Sequence, residues 1–349
     1  EIVNPKTQST IYSSPAGSTP YIYIRGEGEK LLDATNNSVL TLNKYLYSAH
    51  TNAIFLTEAF VKEKGLISIL DFFSRYPELR QDEYMVVVKG EDAETLYKSS
   101  TSLADFFGNF IIDSEKVQSY RLSKSIYPTM LDVIKAYYCD MEEPVLGVIQ
   151  KMPVNNDEEV DKHNPVTQEN IKDNTKLLYE GAAILEGGKL KHIINGEETF
   201  MYNSIMGKAR AVNVDVEKTT FEILNDKPKI DIEYKKDKVK INLQLSLEMM
   251  VVLDEGKNNF NDLKTILKLE NKINEKLSKD IKTFLDKSQD TIGVDFLKFA
   301  NAFHIKYPKE WEKIKKNWKE YFQKADINVK VKSTIKSEGK IQKSVKKED

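Results

Sequence analysis

The sequence predicts a mixed α/β chain of the α+β class, built as three domains, the C-terminal one an antiparallel β-sheet covered by helices on one face. Three observations carry that expectation. Short apolar strands and amphipathic helices interleave through the first 150 residues, the pattern of a layered sheet-and-helix unit. Residues 151–175, KMPVNNDEEVDKHNPVTQENIKDNT, are polar and contain two prolines without any period, which marks a boundary or a loop. The stretch PKIDIEYKKDKVKINLQLSLEMMVVL alternates apolar and polar residues strictly before helix-period sequence takes over, as in a sheet with one buried face. The expected division is an N-terminal α/β domain at 1–150, a linker with a small middle α+β domain at 151–215, and the sheet-with-helices domain at 216–349. A chain of 349 residues is also longer than one core usually grows.

In the first domain TPYIYIRGEG reads as a strand ending at Gly26 and Gly28, followed by a helix on Leu31, Ala34, Val39, Leu42 and Leu46. HTNAIFLTEAF gives a buried strand through Ile54 to Leu56 and then a helix stopped by Gly65, the residue type that best ends a helix. LISILDFFSRYP is a helix with an apolar face of Ile67, Leu70 and Phe73, and EYMVVVKG is a strand running to Gly90. A helix opens behind Asp92, another begins just after Pro128, and PVLGVIQ is the last strand of the unit. Between helix and strand, SRYPELRQDEY crowds Arg75, Glu78, Arg80, Asp82 and Glu83 around Pro77. Pro77 disfavours helix at Tyr76, and Glu78 is placed to pair with Arg75 or Arg80. The expectation is an Arg75–Glu78 ion pair or a backbone bracket that braces the corner.

In the middle segment, GAAILEGGKLKHIINGEETF predicts a hairpin about Gly187 and Gly188, with Gly181 opening its first strand. Asn195 then caps a helix that begins with Gly196 and holds Glu197 and Glu198 in its first turn, where acids suit the helix dipole. In the last domain the long hairpin buries Ile230, Ile232, Tyr234, Val239, Ile241, Leu243, Leu245 and Leu247. A helix with Phe260, Leu263, Leu267, Ile273, Leu277, Ile281 and Phe284 on one face follows. VDFLKFANAF and PKEWEKIKKNWKEYF are two more helices, the second entered through Pro308, and INVKVKSTI is a closing strand. Trp311 and Trp318 share a face with Ile314 and Phe322, a core stripe rather than a ligand box.

The chemistry-bearing residues are sparse. The net charge of -2 gives no global field toward nucleic acid. Residues 305–349 nevertheless hold fourteen lysines and seven acids, a net of +7 that leaves about -9 on the rest. That asymmetry fits either a solvated lysine-rich face or a basic end facing a polyanion or an anionic membrane surface. The single cysteine, Cys139, allows no internal disulfide and no cysteine-based zinc site, and reads as a small buried thiol. No apolar run reaches the ~20 residues that span a bilayer. His50, His163, His192 and His304 are never spaced as a helical metal pair. His50, at a helix-to-strand junction, is the best placed of them for chemistry, with a hydrogen-bonded corner histidine as the alternative. The acid pairs Glu142–Glu143 and Glu197–Glu198, and the run Asp157–Glu159, are adjacent in sequence, which does not make carboxylates converge across a substrate. RGEGEK and EGGK form no phosphate or dinucleotide loop. No cofactor and no metal are expected.

Four blocks, in order, resemble one family. AHTNAIFLTEAFVKEKGLISILDFFSRYPELRQDEYMVVVKG is similar to its first signature and contains His50, Gly65, Arg75, Glu78, Arg80 and Gly90. GAAILEGGKLKHIINGEETFMYN is similar to the second, with Gly181, Asn195, Gly196 and Glu198. IGVDFLKFANAFHIKYPKEWEKIKKNWKEYF resembles the third, with Trp311 and Trp318, and INVKVKSTIKSEGKI the closing strand. The family is that of the C subunits of spore nutrient-germinant receptors, the Ger(x)C lipoproteins, and the likeness runs from about Tyr21 to Ile341. It implies a non-enzymatic lipoprotein with a soluble mature domain at the outer face of the spore inner membrane. There it would work with membrane-embedded A and B subunits through protein contacts, without nucleic acid. The family's precursors carry a signal peptide ending at a cysteine that becomes acylated; Cys139 cannot be that residue, so the implied anchor lies outside the quoted chain. The family offers no catalytic residues to carry over. The alternative is a module that binds an amino acid or sugar germinant directly, His50 and the charged corner lining a cleft between the first two domains. A cell-wall hydrolase is a third reading.

Overall fold

The computed structural model describes residues 2–3, 21–22, 24–40, 47–90, 107–118, 121–153, 175–256 and 258–337. The helix expected behind Asp92, the positions Leu42 and Leu46, His163 and the acidic run Asp157–Glu159 lie outside them. The elements are β1 (Ile2–Val3), β2 (Tyr21–Ile22), α1 (Leu31–Val39), β3 (Ala53–Thr57), α2 (Glu58–Glu63), α3 (Ile67–Arg75), β4 (Tyr84–Val88), α4 (Phe107–Gln118), α5 (Met130–Tyr137) and β5 (Val145–Pro153). There follow β6 (Thr175–Glu186), β7 (Lys189–Ile194), α6 (Gly196–Ile205), β8 (Asn213–Val216), β9 (Thr219–Lys235) and β10 (Lys238–Asp254). The chain closes with α7 (Leu263–Lys287), α8 (Phe299–Lys306), α9 (Pro308–Ile314), α10 (Trp318–Gln323) and β11 (Asp326–Ser337).

The first sheet has the order β3-β4-β5-β6-β7. β3, β4 and β5 run parallel, because intervening helices carry the chain back to the same end each time. β5, β6 and β7 are antiparallel. The hairpin expected in a separate middle unit at 151–215 therefore completes this sheet. Its composition gives the reason. Ala182, Ala183, Ile184 and Leu185 are all fully buried, so β6 needs cover on both faces, which a lone two-stranded hairpin cannot provide.

The second sheet has the order β11-β10-β9-β8. β9 and β10 form the long hairpin, turning through Lys236 and Asp237, both at positive φ, the backbone of a tight two-residue hairpin loop. Its inner face buries Ile232, Val239, Ile241, Leu243, Leu245, Leu247 and Met249, as the alternation requires. The expected all-antiparallel sheet needs one correction: β11 runs parallel to β10. Helices α7 to α10 cross the sheet and return the chain to the starting end of β10, so the last strand enters in the same direction.

Three expected apolar faces are also adjusted. Ile67 is exposed while Leu66, Ile69 and Leu70 are buried, because Leu66 N is pinned to Gly188 O at 2.9 Å and sets the rotation of α3. Leu263 and Leu267 are exposed, and α7 buries Leu269, Ile273, Leu277, Ile281, Phe284 and Leu285 instead. The hydrogen bonds from α7 to β11 begin at Glu270, so the leading turns of the helix run past the strand. The helix expected over PKEWEKIKKNWKEYF is broken between α9 and α10 by a tight turn at Lys315–Asn317. The Trp stripe is core: Trp311, Ile314, Trp318 and Phe322 are all buried.

α6 joins the two sheets. Every residue from Thr199 to Ile205 is buried, so the helix is covered all round, and its Phe200, Met201, Tyr202 and Ile205 share one core cluster with Ile184 and Ile194 of the first sheet and Phe221 and Ile241 of the second. Along the outer edge of β11, side chains of α7 occupy alternate backbone donors. Val331 N donates to Ser278 Oγ (3.3 Å), Ser333 N to Asn274 Oδ1 (2.7 Å) and Ile335 N to Glu270 Oε1 (2.9 Å). Four helix residues rise ~6 Å and two strand residues ~6.7 Å, so the two spacings stay in step for three rungs.

Candidate functional site

The residues singled out from sequence do not converge on one point. His50 is exposed at the end of a short turn, Ser48–His50, with its ring edge-on to Tyr47 at 5.6 Å. The depression beside the charged corner is about 110 Å³, lined by Ser48, Thr51, Phe72, Tyr76 and Leu79 among others, and His50 is not part of its wall. Small-molecule sites usually enclose ~300–1,000 Å³. The expected cleft between the first two domains, lined by His50 and the corner, is therefore corrected to a shallow groove beside the corner without the histidine.

The corner is a brace, but with other partners than expected. Arg75 pairs with Asp71, one helical turn earlier, at 2.8 Å, not with Glu78. Glu78 Oε2 accepts a hydrogen bond from Ser48 N at 3.3 Å, a backbone bracket. Arg80 pairs with Asp82 at 2.8 Å, and its backbone N donates to Glu83 Oε1 at 3.1 Å. Glu83 is completely buried, and its carbonyl, with that of Gln81, accepts from Met130 N and Leu131 N at 2.8 and 2.9 Å. The corner thus closes the N-terminus of α5, whose first donors would otherwise be orphaned. Thr129 and Asp132 complete that cap as a reciprocal box.

The remaining signature positions hold turns and joints. Gly65, at φ 73°, lets α2 turn into α3 against the β6–β7 turn. Gly90 N donates to Glu58 Oε2 at 3.1 Å. Gly181 N donates to Lys124 O at 2.9 Å. Asn195 caps α6 as expected: its Oδ1 accepts from Glu198 N, and Glu198 Oε2 accepts from Asn195 N. Gly196 starts that helix beside the Glu180 side chain. Glu198 also reaches Lys287 of α7 at 2.5 Å, while Glu197 pairs with Lys124 and Glu142 with Lys298. The acid pairs are spent on these joints, and Glu143 Oε2 holds Gly187 N at 3.0 Å. Cys139, expected to be buried, is half-buried, because α5 ends at Tyr137 and leaves it in the following turn. Among the described residues no group of three His, Cys, Asp or Glu is arranged to hold a metal, and no helix is long and apolar enough to cross a membrane.

Sequence reasoning missed three buried polar centres. Asp295 is buried, and its carboxylate accepts from Leu297 N (3.1 Å), Phe299 N (3.3 Å), Ala300 N (2.7 Å) and the Trp318 indole Nε1 (2.9 Å). Burial pushes this carboxyl up, and the four donors oppose that by favouring the charged form. The place of Asp295, four residues before α8, could have pointed to an acceptor for the first N–H groups of that helix; nothing local points to Trp318. The second centre ties the sheets together. Asn203 Nδ2 of α6 donates to Ser123 O and Ser125 O (2.8 and 3.1 Å), and Ser123 Oγ exchanges hydrogen bonds with the Arg210 backbone.

The third is Asp226 on β9, whose Oδ2 accepts from Ala209 N at 3.1 Å while Oδ1 is buried without a partner. Burial pushes its carboxyl from the ordinary 3.8 up to about 6, against the Ala209 hydrogen bond and the charge of Arg210. The folded chain then holds this proton more tightly than the unfolded one. The stability this supplies is complete below the unfolded value and is lost as pH rises from about 4 through about 6. Asp226→Asn is expected to flatten that part of the stability-versus-pH curve and to raise stability above pH 7 by about 1–2 kcal/mol. Urea unfolding from pH 4 to 8 measures it; an unchanged slope would refute the assignment.

Comparison with known proteins adds kinship to this geometry. Residues 1–151 match the family model described as spore germination protein N-terminal domain, and residues 180–339 the one described as spore germination B3/GerAC like, C-terminal. Spore germination protein KC of Bacillus subtilis (strain 168) is 24% identical over 352 aligned positions, 97% of this chain and 84% of that protein. Spore germination protein B3 of the same organism is 23% identical, covering 95% and 84%. The crystal structure of the GerBC protein superposes with a TM-score of 0.57 at 20% identity, over 83% of this chain and 81% of that one, which is a likeness of fold.

Proposed function

This chain belongs to the spore germination B3/GerAC-like family, and from that premise we propose that it is a non-enzymatic subunit of a nutrient germinant receptor. Its relatives are spore germination proteins, and a role in germination follows from that kinship. The finer reading is that the folded chain works by protein contacts with membrane-embedded A and B subunits. It would do so at the outer face of the spore inner membrane, held there by a lipid anchor outside these residues. The observation that carries the reading is the ordered match of both family models over residues 1–151 and 180–339.

The geometry is in keeping with a scaffold. Signature residues are spent on caps, turns and joints that fix the two sheets as one body, and a tethered body of fixed shape gains effective concentration beside its partners. Spores lacking this chain are expected to lose their response to the matching nutrient while still germinating with a nutrient-independent trigger. A normal nutrient response, with no paralogue present, would overturn the proposal. Co-purification of the A and B subunits with the chain from spore membranes tests the partner assignment separately.

A further inference from the structure

We propose that the uncovered face of the second sheet docks on an anionic lipid surface. The argument starts from register. On β10, Gln244 lies between Lys229 of β9 and Lys330 of β11, and Ser246 lies between Lys227 and Lys332. Directly paired residues point to the same side of a sheet, and Leu245, between them in sequence, is on the buried face. Strands ~4.8 Å apart and ~6.7 Å per residue pair put the four lysines at the corners of a rectangle of about 10 by 7 Å. All four are exposed, and among the described residues none has an ion-pair partner.

The acids bordering the lysine rows are engaged around the rim, and Glu222, opposite Met250, lies farther along the same face. Asp231 is held by Lys306 at 2.6 Å, Glu233 by Lys235 at 3.6 Å and Glu248 by Lys336 at 3.8 Å, and Asp326 stands opposite Lys240. The centre is left as a like-charge cluster whose mutual repulsion a polyanion would relieve. The two central rows contain no aromatic side chain on which bases could stack, which disfavours single-stranded nucleic acid.

Apolar residues select lipid among the anions. Where β9 and β10 reach their far end, register shifts fall beside Leu224 and Val252, and bulges of this kind re-aim side chains. Leu224, Val252 and Leu253 are 41%, 50% and 52% exposed. Leu253 pairs with Thr220 and Met250 with Glu222, on the side opposite the buried Val251–Phe221 pair. One face therefore presents ammonium groups for phosphate headgroups and, next to them, aliphatic side chains for the interfacial region, the combination that holds a protein on an anionic bilayer. This inference does not rest on the receptor-subunit reading.

The test is flotation of the 349-residue chain with phosphatidylcholine vesicles, alone or mixed with phosphatidylglycerol. Binding to the mixed vesicles is expected, with little to the neutral ones, and it should weaken as salt is raised. The combined variant Lys227→Gln, Lys229→Gln, Lys330→Gln, Lys332→Gln should lose about tenfold or more in vesicle affinity, and Val252→Ser with Leu253→Ser should also weaken it. Lys264→Gln with Lys268→Gln, on the outward face of α7, should bind as the parent does. Circular dichroism verifies that each variant is folded. Equal binding to neutral vesicles, no binding to either, full binding by the lysine variant, or preference for a single-stranded oligonucleotide over the vesicles would each overturn the proposal.

Discussion

Replacing Asp295 by alanine is expected to cost about 3–5 kcal/mol of stability, the range for removing one member of a buried charged network. The carboxylate accepts three backbone N–H groups at the start of α8 and the indole N–H of Trp318. With alanine in its place, four buried donors lose their acceptor at once, and each uncompensated donor costs ~1–3 kcal/mol before relaxation. Asparagine should not rescue: its NH₂ group would face Ala300 N and Trp318 Nε1 in one orientation, or Leu297 N and Phe299 N in the other, donor against donor either way. Trp318→Phe removes only one donor and should cost less. Urea unfolding of the two single variants and their combination gives the coupling between Asp295 and Trp318, expected at ~1–3 kcal/mol. Additive costs would show that the indole contact contributes nothing.

Gly181→Ala should be nearly as damaging, about 3–4 kcal/mol, for a different reason. Gly181 sits within β6 at φ 97°, where side chains are strained by ~1–3 kcal/mol. A Cβ there would also lie 2.6 Å from Ile194 O, and a backbone oxygen in a paired strand cannot step aside as a flexible side chain could. Gly90→Ala is the control. It has similar handedness at φ 72° but nothing within 4 Å of the added carbon, so only the conformational cost of about 1 kcal/mol remains. Equal midpoints for the two variants in urea would refute the crowding argument.

What could be read from the sequence follows the range over which each force acts. The β9–β10 hairpin was legible because alternation over seventeen-residue strands fixes one buried face without reference to anything else. The Asn195 cap was legible because donor and acceptor are three residues apart. The direction of β11 was not, since a strand alternates identically whether its neighbour runs parallel or antiparallel. The hairpin of β6 and β7 was assigned to its own unit because a polar stretch separates it from β5, the strand it pairs with. At the corner, Arg75 found Asp71 on the same ordered helix, four residues back, a pairing that local geometry favours. Glu78 instead reached Ser48, thirty residues earlier. The Asn203 joint and the Asp295–Trp318 pair are likewise tertiary, and composition near them carries no sign of the partner. His50 shows the converse: it sits where the sequence put it, at a junction before β3, yet its ring is left outside the groove.

The ladder of Ser278, Asn274 and Glu270 along β11 has a bearing on how these molecules behave when crowded together. An outermost strand with vacant donors is a template on which another copy can grow, strand upon strand, toward fibres. Here three successive growth points are already occupied from within the same chain. Substituting Asn274 alone would reopen the middle one while leaving the flanking rungs to hold α7 in place. Assembly through this border is thereby discouraged, and neighbours must meet across broad surfaces, where charge and shape can discriminate between partners.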